Sequence, residues 1–124
     1  MTLPALNLVD IKVLALAVTD FQRAMHFYTD ILSLRPAYEG DKQVGTHLGH
    51  TVLLFKTDMA VAPSATLNPR VTIQTDDARS TEASLRQRGV VIADAVESYG
   101  GALVGSFLDS EGNKLWFCSG SGPS

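Results

Sequence analysis

Apolar positions near the start of the chain change from a spacing typical of a strand to a spacing typical of a helix. Residues 11–18 are apolar on both alternating faces, which predicts a strand buried on both sides. Asp20 follows at a favourable N-cap position, because its carboxylate can accept from the free N–H groups of a first helical turn. Apolar residues then recur at intervals of three and four, which predicts a helix over residues 21–32 that packs on the strand.

The elements that follow in this first part are short strands separated by turns. Pro36 ends the helix, since the residue before a proline avoids the helical conformation. Gly40 and Gly49 mark turns between apolar segments. We predict strands over residues 37–39, 43–48 and 51–56. Residues 58–69 then lose periodicity and gain proline, alanine and threonine, which is typical of a linker.

The same order of elements begins again after the linker. β-branched residues alternate over residues 70–75, which predicts a strand. Asp76 or Asp77 can cap a helix that we predict over residues 78–88. Further strands are predicted over residues 90–93, 102–108 and 114–118.

Two copies of one unit account for this order. Placing Asp20 on Asp77 brings strand onto strand and helix onto helix. The predicted fold class is α+β, with two tandem β-α-β-β-β units that form a curved mixed sheet around a cleft and carry their helices on the outer face. We predict one domain over residues 1–124. Its parts are a loose lead-in at 1–8, unit one at about 9–57, a linker at about 58–69, unit two at about 70–118 and a flexible tail at 119–124.

Composition and charge exclude several classes of protein. The 124 residues carry a formal net charge of −3 without a run of lysine or arginine, so we expect no nucleic-acid partner. The single cysteine, Cys118, excludes an intrachain disulfide. No apolar stretch reaches membrane-spanning length, and the first residues lack the basic start of a secretion signal. These features predict a cytoplasmic protein with no membrane partner.

Two motifs carry a family resemblance. The stretch AVTDFQRAMHFYTDILSL places an aspartate before a helix with a Phe-Tyr pair, and the stretch YGGALVGSFLDSEGNKLWF places a Gly-Gly turn before an Asp-x-x-Gly-Asn turn. Together they resemble the vicinal oxygen chelate superfamily, which contains glyoxalases, bleomycin-resistance proteins and extradiol dioxygenases. The resemblance covers about residues 9–118, and Ser110 stands where the family usually has a proline.

The resemblance also implies where a metal centre would lie. Metal-dependent members carry a histidine seven residues before the helix aspartate of each unit, and a glutamate on the last strand of each unit. These positions hold Val13, Leu54, Arg70 and Trp116. None of the four is an ordinary ligand of a divalent ion, and a guanidinium would repel one. We therefore expect no metal, with a divalent ion bound through misplaced ligands as the alternative (His47, His50, Glu39 or Glu111).

Side chains alternate between the two faces of a strand, so the four aligned positions also predict which neighbouring residues line a ligand site. Residues two apart from the aligned positions share their face of the sheet. The predicted ligand-binding residues are Val13, Ala15, His47, Leu54, Arg70, Thr72, Gln74, Lys114 and Trp116. An aromatic ring beside cationic and amide groups suits an organic ligand with a flat ring and an anionic or carbonyl group. His47 is the first candidate for proton transfer.

The resemblance implies a metal-free protein that binds a small organic molecule, such as an antibiotic or an aromatic metabolite, without transforming it. It also implies a homodimer in which a second chain completes the cleft. The alternative is an enzyme of the same superfamily, a lyase, dioxygenase or isomerase with a non-standard or metal-free site in which His47 or Cys118 would titrate. A third interpretation is a dimerisation module whose cleft is filled.

Overall fold

The computed structural model describes residues 10–66 and 70–120 and confirms the tandem α+β repeat. Unit one contains β1 (Val13–Ala17), α1 (Phe21–Met25) with a π-helical continuation (His26–Ile31), β2 (Pro36–Glu39), β3 (Lys42–Leu48) and β4 (Thr51–Lys56). Unit two contains β5 (Thr72–Gln74), α2 (Ala78–Gln87), β6 (Ile92–Tyr99), β7 (Ala102–Leu108) and β8 (Lys114–Gly120). The predicted lead-in at 1–8, the linker residues 67–69 and the tail residues 121–124 lie outside the described residues.

Each unit forms its own mixed sheet of four strands. The strand orders are β1-β4-β3-β2 and β5-β8-β7-β6, so the first strand of each unit pairs in parallel with the last. The two sheets are not closed into a barrel, and no pairing between described strands joins them. None of the helices in the described part of the chain combines the length and the apolar character needed to cross a bilayer.

The first helix differs from the prediction in its second half. The Leu32 N–H donates to the carbonyl of Phe27 at 2.9 Å, five residues back, so the last turn is a π-helix. This wider turn belongs to a segment in which the adjacent side chains of Phe27 and Tyr28 are both buried. The Tyr28 ring then packs on Phe55 of β4, with 4.8 Å between ring centroids.

The end of the chain also departs from the prediction. β6 continues to Tyr99, well past the apolar segment at 90–93, because it pairs with β7 from Ile92 to Tyr99, with irregularities on both sides of Asp94. β8 continues to Gly120, and Ser119 is buried with its Oγ accepting from the Ala78 N–H at 2.9 Å. The prediction of a tail from residue 119 is therefore wrong at its first residue, which caps a helix instead.

A single core serves both units. The helix-facing sides of the two sheets supply much of it, together with Phe27 and Tyr28 of the first helix. The cluster includes Leu16, Leu53 and Phe55 of unit one and Leu115 and Phe117 of unit two. Because the apolar faces of both sheets are buried in one cluster, the two units stabilise each other by removing apolar surface from water.

A buried turn of unit two holds the units together through hydrogen bonds, and we call Tyr28, Asp109 and Asn113 the inter-unit clasp. The Tyr28 hydroxyl donates to Asp109 Oδ2 at 2.8 Å, and the Asn113 amide donates to the Ala17 carbonyl at 2.8 Å. Burial raises the pKa of Asp109, against the hydrogen bonds from Tyr28 and Asn113 that lower it. Burial and the neighbouring Asp109 raise the pKa of Tyr28 well above its usual range.

Glu111 of the same turn binds the start of the first helix. Its Oε1 accepts from the N–H groups of Thr19 and Asp20 at 2.9 and 3.0 Å. Its Oε2 accepts from Arg23 Nε at 2.6 Å, and the carboxylate is fully inaccessible to solvent. The Arg23 hydrogen bond is the main cause that lowers the pKa of Glu111 to about 2. Residues 109–113 therefore do more than form a turn, since Glu111 also binds the start of a helix in the other unit.

The predicted linker is fixed at its centre. The Ser64 N–H donates to the side-chain oxygen of Asn113 at 2.9 Å, and the Lys114 N–H donates to the Ser64 carbonyl at 3.2 Å. The linker thereby lies against the start of β8, next to the clasp.

We expect Glu111→Gln to lower the free energy of unfolding by about 1–3 kcal/mol at neutral pH, because it removes a charged acceptor from several donors. The carboxyl titrates at about 2 in the folded state against 4.5 for a free glutamate, so its stabilisation is present above pH 4.5 and is lost as the pH falls towards about 2. The variant should lose less stability over that range. Urea unfolding at a series of pH values measures both effects.

Glu97→Gln on the exposed side of β6 is the matched control, since it removes the same charge without these contacts. Equal unfolding free energies for Glu111→Gln and the control would contradict the role assigned to Glu111.

Candidate functional site

The strand registers show which residues of the two units are equivalent. Ala15 of β1 pairs with Leu54 of β4, and Thr72 of β5 pairs with Trp116 of β8 in the same parallel arrangement. Leu54 and Trp116 therefore occupy the same position on the last strand of their units. This is the equivalence that the sequence alignment predicted.

The helix caps align the first strands in the same way. The side chain of Asp20 accepts from the Arg23 N–H at 3.1 Å, and that of Asp77 accepts from the Arg79 and Ser80 N–H groups. Both aspartates are thus N-caps, and Arg70 lies seven residues before the second as Val13 does before the first.

The four equivalent positions do not fit a divalent metal ion. They carry two aliphatic side chains, one guanidinium and one indole (Val13, Leu54, Arg70 and Trp116). Imidazole and carboxylate donors are absent from all four, and a cation would be repelled in unit two. Among residues 10–66 and 70–120, no group of three His, Cys, Asp or Glu side chains is arranged to hold a metal. The alternative ligands named from sequence, His47, His50, Glu39 and Glu111, therefore do not form such a group.

Two cationic side chains lie over the indole of Trp116. The guanidinium carbon of Arg70 is 3.9 Å from the ring centroid, and Lys114 Nζ is 4.4 Å from it. Both distances are within the range of a cation–π interaction. Because β5 and β8 are adjacent, Thr72 lies next to Trp116 on the same face of the sheet. The structure thus brings together four of the predicted site residues.

Asp94 completes this group, and sequence reasoning missed it. Lys114 Nζ lies 2.5 Å from Asp94 Oδ2, and the Ser106 hydroxyl donates to the same oxygen at 2.5 Å. The hydrogen bond from Lys114, followed by that from Ser106, lowers the pKa of Asp94. Asp94 is placed by the pairing of β6 with β7, which is irregular on both sides of it, so no local pattern identified it.

A small cavity lies beside these residues. It has a volume of about 210 Å³ and is lined by Ala65, Thr66, Arg70, Lys114 and Trp116. Small-molecule sites usually measure about 300–1,000 Å³. The cavity within one chain is therefore large enough for one ring and its substituent, and the linker forms one of its walls.

The other predicted site residues lie elsewhere. Ala15 lines a cavity of about 400 Å³ under the linker, and Leu54 lines one of about 530 Å³ on unit one. Val13 is 45% exposed, and Gln74, at the end of β5, lines a cavity of about 590 Å³ together with Arg70 and Thr72. His47 pairs with Val52 on the sheet of unit one. The predicted site residues therefore line several separate cavities in the described part of the chain, and Trp116 does not line the cavities that contain Ala15, Leu54 or Gln74.

Within the described residues, the two side chains considered for acid–base chemistry form no hydrogen bond to a carboxylate. His47 is half-buried on the sheet of unit one. Cys118 is half-buried, and its Sγ lies 3.9 Å from the Ser119 carbonyl as a weak donor. His26 is exposed and pairs with Asp30 at 2.7 Å, as expected of a surface residue.

The comparisons with known proteins identify the family. The model of the Glyoxalase/Bleomycin resistance protein/Dioxygenase superfamily matches residues 10–117. The chain belongs to this superfamily. A search of curated protein sequences gives no significant match.

Solved structures of the superfamily share the fold. TnmS3, an antibiotic binding protein from Streptomyces sp. CB03234, has a TM-score of 0.78 at 21% identity and covers 94% of this chain and 100% of its own. A glyoxalase/bleomycin resistance protein from the same Streptomyces has a TM-score of 0.69 at 22% identity, with coverages of 87% and 98%. Lactoylglutathione lyase from Agrobacterium tumefaciens has a TM-score of 0.70 at 15% identity, with coverages of 92% and 96%. At these identities the likeness establishes the fold alone.

The side chains at the four metal-equivalent positions predict that the protein does not bind a divalent metal ion at this site. We expect titration with Zn²⁺, Ni²⁺ or Mn²⁺ to give no saturable change in the fluorescence of Trp116, the only tryptophan of the chain. The physical reason is that Arg70 and Lys114 repel a cation at this site. Elemental analysis of the purified protein and calorimetric titration provide independent measurements. Near-stoichiometric metal that a chelator removes would show the prediction to be wrong.

Proposed function

We propose that this member of the superfamily binds a small organic ligand without a metal and does not transform it. The ligand has a flat ring and an anionic or carbonyl group. The observation that carries the proposal is the position of Arg70 and Lys114 over the face of Trp116, beside an accessible cavity. The indole lines the cavity with apolar surface that a ligand ring can contact, and the cations offer donors for the ligand's polar group.

Arg70 is the group that we assign to the ligand's anion. It is exposed and forms no ion pair within residues 10–66 and 70–120. A guanidinium presents its donors in a fixed plane that matches a carboxylate. Thr72 adds a hydroxyl on the same face of the sheet. These groups support recognition of an aromatic or conjugated carboxylate, or of a carbonyl in the plane of its ring.

We further propose that a second copy of the chain completes the site. The cavity of about 210 Å³ is small for a complete ligand, and several apolar side chains on the first unit and the linker are exposed. They include Ile11, Val13, Met59 and Val61. Burial of such side chains against a partner would extend the cavity and remove apolar surface from water. In such a homodimer, unit one of one chain would pack against unit two of the other and cover these exposed side chains.

The biological role that we propose is sequestration of an antibiotic or an aromatic metabolite in the cytoplasm. The superfamily includes bleomycin-resistance proteins, and one similar structure is that of an antibiotic binding protein. The cationic groups around Trp116 favour an anionic member of either class of ligand.

Arg70→Gln tests the assignment. We expect benzoate, used as the simplest flat carboxylate, to quench Trp116 fluorescence saturably in the wild type. The variant should bind benzoate about tenfold more weakly, because it loses a charged hydrogen-bond donor. Calorimetry provides a second measurement of the same affinity. Arg79→Gln on the exposed side of α2 is the control and should leave the affinity unchanged.

Two results would contradict the proposal. One is the absence of binding for benzoate and for a panel of aromatic antibiotics with carboxylate or carbonyl groups. The other is equal affinity for benzoate in the wild type and Arg70→Gln. Sedimentation analysis tests the dimer separately, and a monomer at the concentrations used for binding would remove the second copy from the site.

A further inference from the structure

The charged side chains around Trp116 also restrict how many negative charges the ligand can carry. We propose that Asp94 selects ligands with a single negative charge. This inference rests on the proposed function, because it concerns the same site. It adds a specificity-determining residue that lies on β6 and was not among the residues predicted from sequence.

The side chains around Trp116 carry a small net positive charge. Arg70 and Lys114 contribute two positive charges beside the ring, and Asp94 contributes one negative charge. Thr72 and Gln74, on the same face of the sheet, are uncharged. The site therefore carries one net positive charge, which a monoanion neutralises. A dianion would leave an excess of negative charge next to Asp94.

Contacts within unit two hold Asp94 in place. The Ser106 hydroxyl is fully buried and donates to Asp94 at 2.5 Å. If Asp94 moved away to release Lys114, this buried hydroxyl would lose its partner, which is costly. The backbone of β6 is also fixed at this point, because Asp94 pairs with Ser106 across the two strands. Asp94 therefore stays beside Lys114 when a ligand arrives.

The two cations differ in their partners. Lys114 has a carboxylate at 2.5 Å, whereas Arg70 forms no ion pair with any residue in the described ranges. Although its charge also acts on Asp94, Arg70 is the cation that, among residues 10–66 and 70–120, forms no ion pair, and a ligand carboxylate can form two parallel hydrogen bonds with it. A second carboxylate on the ligand would have to compete with Asp94 for Lys114. The lowered pKa of Asp94 means that this competitor is ionised at neutral pH.

The test compares benzoate with phthalate, which carries a second carboxylate next to the first on the same ring. We expect the wild type to bind benzoate about tenfold more tightly than phthalate at neutral or mildly alkaline pH. Asp94→Asn keeps an acceptor for Ser106 and removes the charge. It should raise the affinity for phthalate about tenfold relative to benzoate. Trp116 quenching and calorimetry measure both ligands.

Two further variants sharpen the comparison. Asp41→Asn, on an exposed turn of unit one, changes the overall charge equally and should leave the benzoate-to-phthalate ratio at its wild-type value. The double variant D94N/K114Q should lose the phthalate affinity gained in D94N, because Lys114 is the cation that Asp94 occupies. Circular dichroism and thermal unfolding check that each variant is folded.

The outcomes separate this inference from the proposed function. Benzoate binding that depends on Arg70, combined with equal phthalate affinity in the wild type or an unchanged ratio in D94N, would overturn the role of Asp94 and leave the proposed function in place. The wild-type ratio alone provides this test even if a variant does not fold. Absence of binding for both probes and for other aromatic carboxylates would overturn both.

Discussion

The carboxylate of Asp109 is the group on which the rest of the structure depends. It is buried, so it needs donors, and these come from the Tyr28 hydroxyl of unit one and the Asn113 amide of its own turn. The same Asn113 amide also binds the carbonyl of Ala17. A buried polar network of this kind is favourable only when every member has its partner. The two units must therefore pack in one arrangement, and the common core forms around it.

The turn that contains Asp109 and Asn113 also positions residues of the candidate site. Lys114 follows Asn113 directly, and its backbone N–H binds the carbonyl of Ser64 in the linker. The turn that joins the units thus also positions the first residue of β8 and one wall of the small cavity. Trp116 lies two residues further along the strand, on the same face as Lys114. The site is therefore built on a strand and a buried turn, which hold side chains more firmly than a free loop would.

Under the proposed function, the superfamily fold serves metal-free recognition of an anionic ligand. The position equivalent to a metal-binding histidine carries a guanidinium, and the position equivalent to a glutamate carries an indole that this guanidinium covers. The local charge is reversed from one that attracts a cation to one that attracts an anion. Asp94 then moderates that charge, since it neutralises Lys114 and leaves Arg70 without a partner among the described residues. Fold and function thus separate at a few side chains on two neighbouring strands.

The sequence by itself determined the repeat, the helix cap at Asp20, the apolar faces of the strands and the equivalence of Leu54 with Trp116, whereas it left Asp76 or Asp77 as the cap of the second helix. These features follow from spacing within one unit, which alternation and capping chemistry reveal. Only the tertiary structure decided that Asp94 meets Lys114, that Tyr28 meets Asp109, and that Ala15 and Leu54 lie away from Trp116. Those placements depend on strand register and on packing between distant residues. No local pattern of one sequence encodes them, because the contacts form only when the two units fold together.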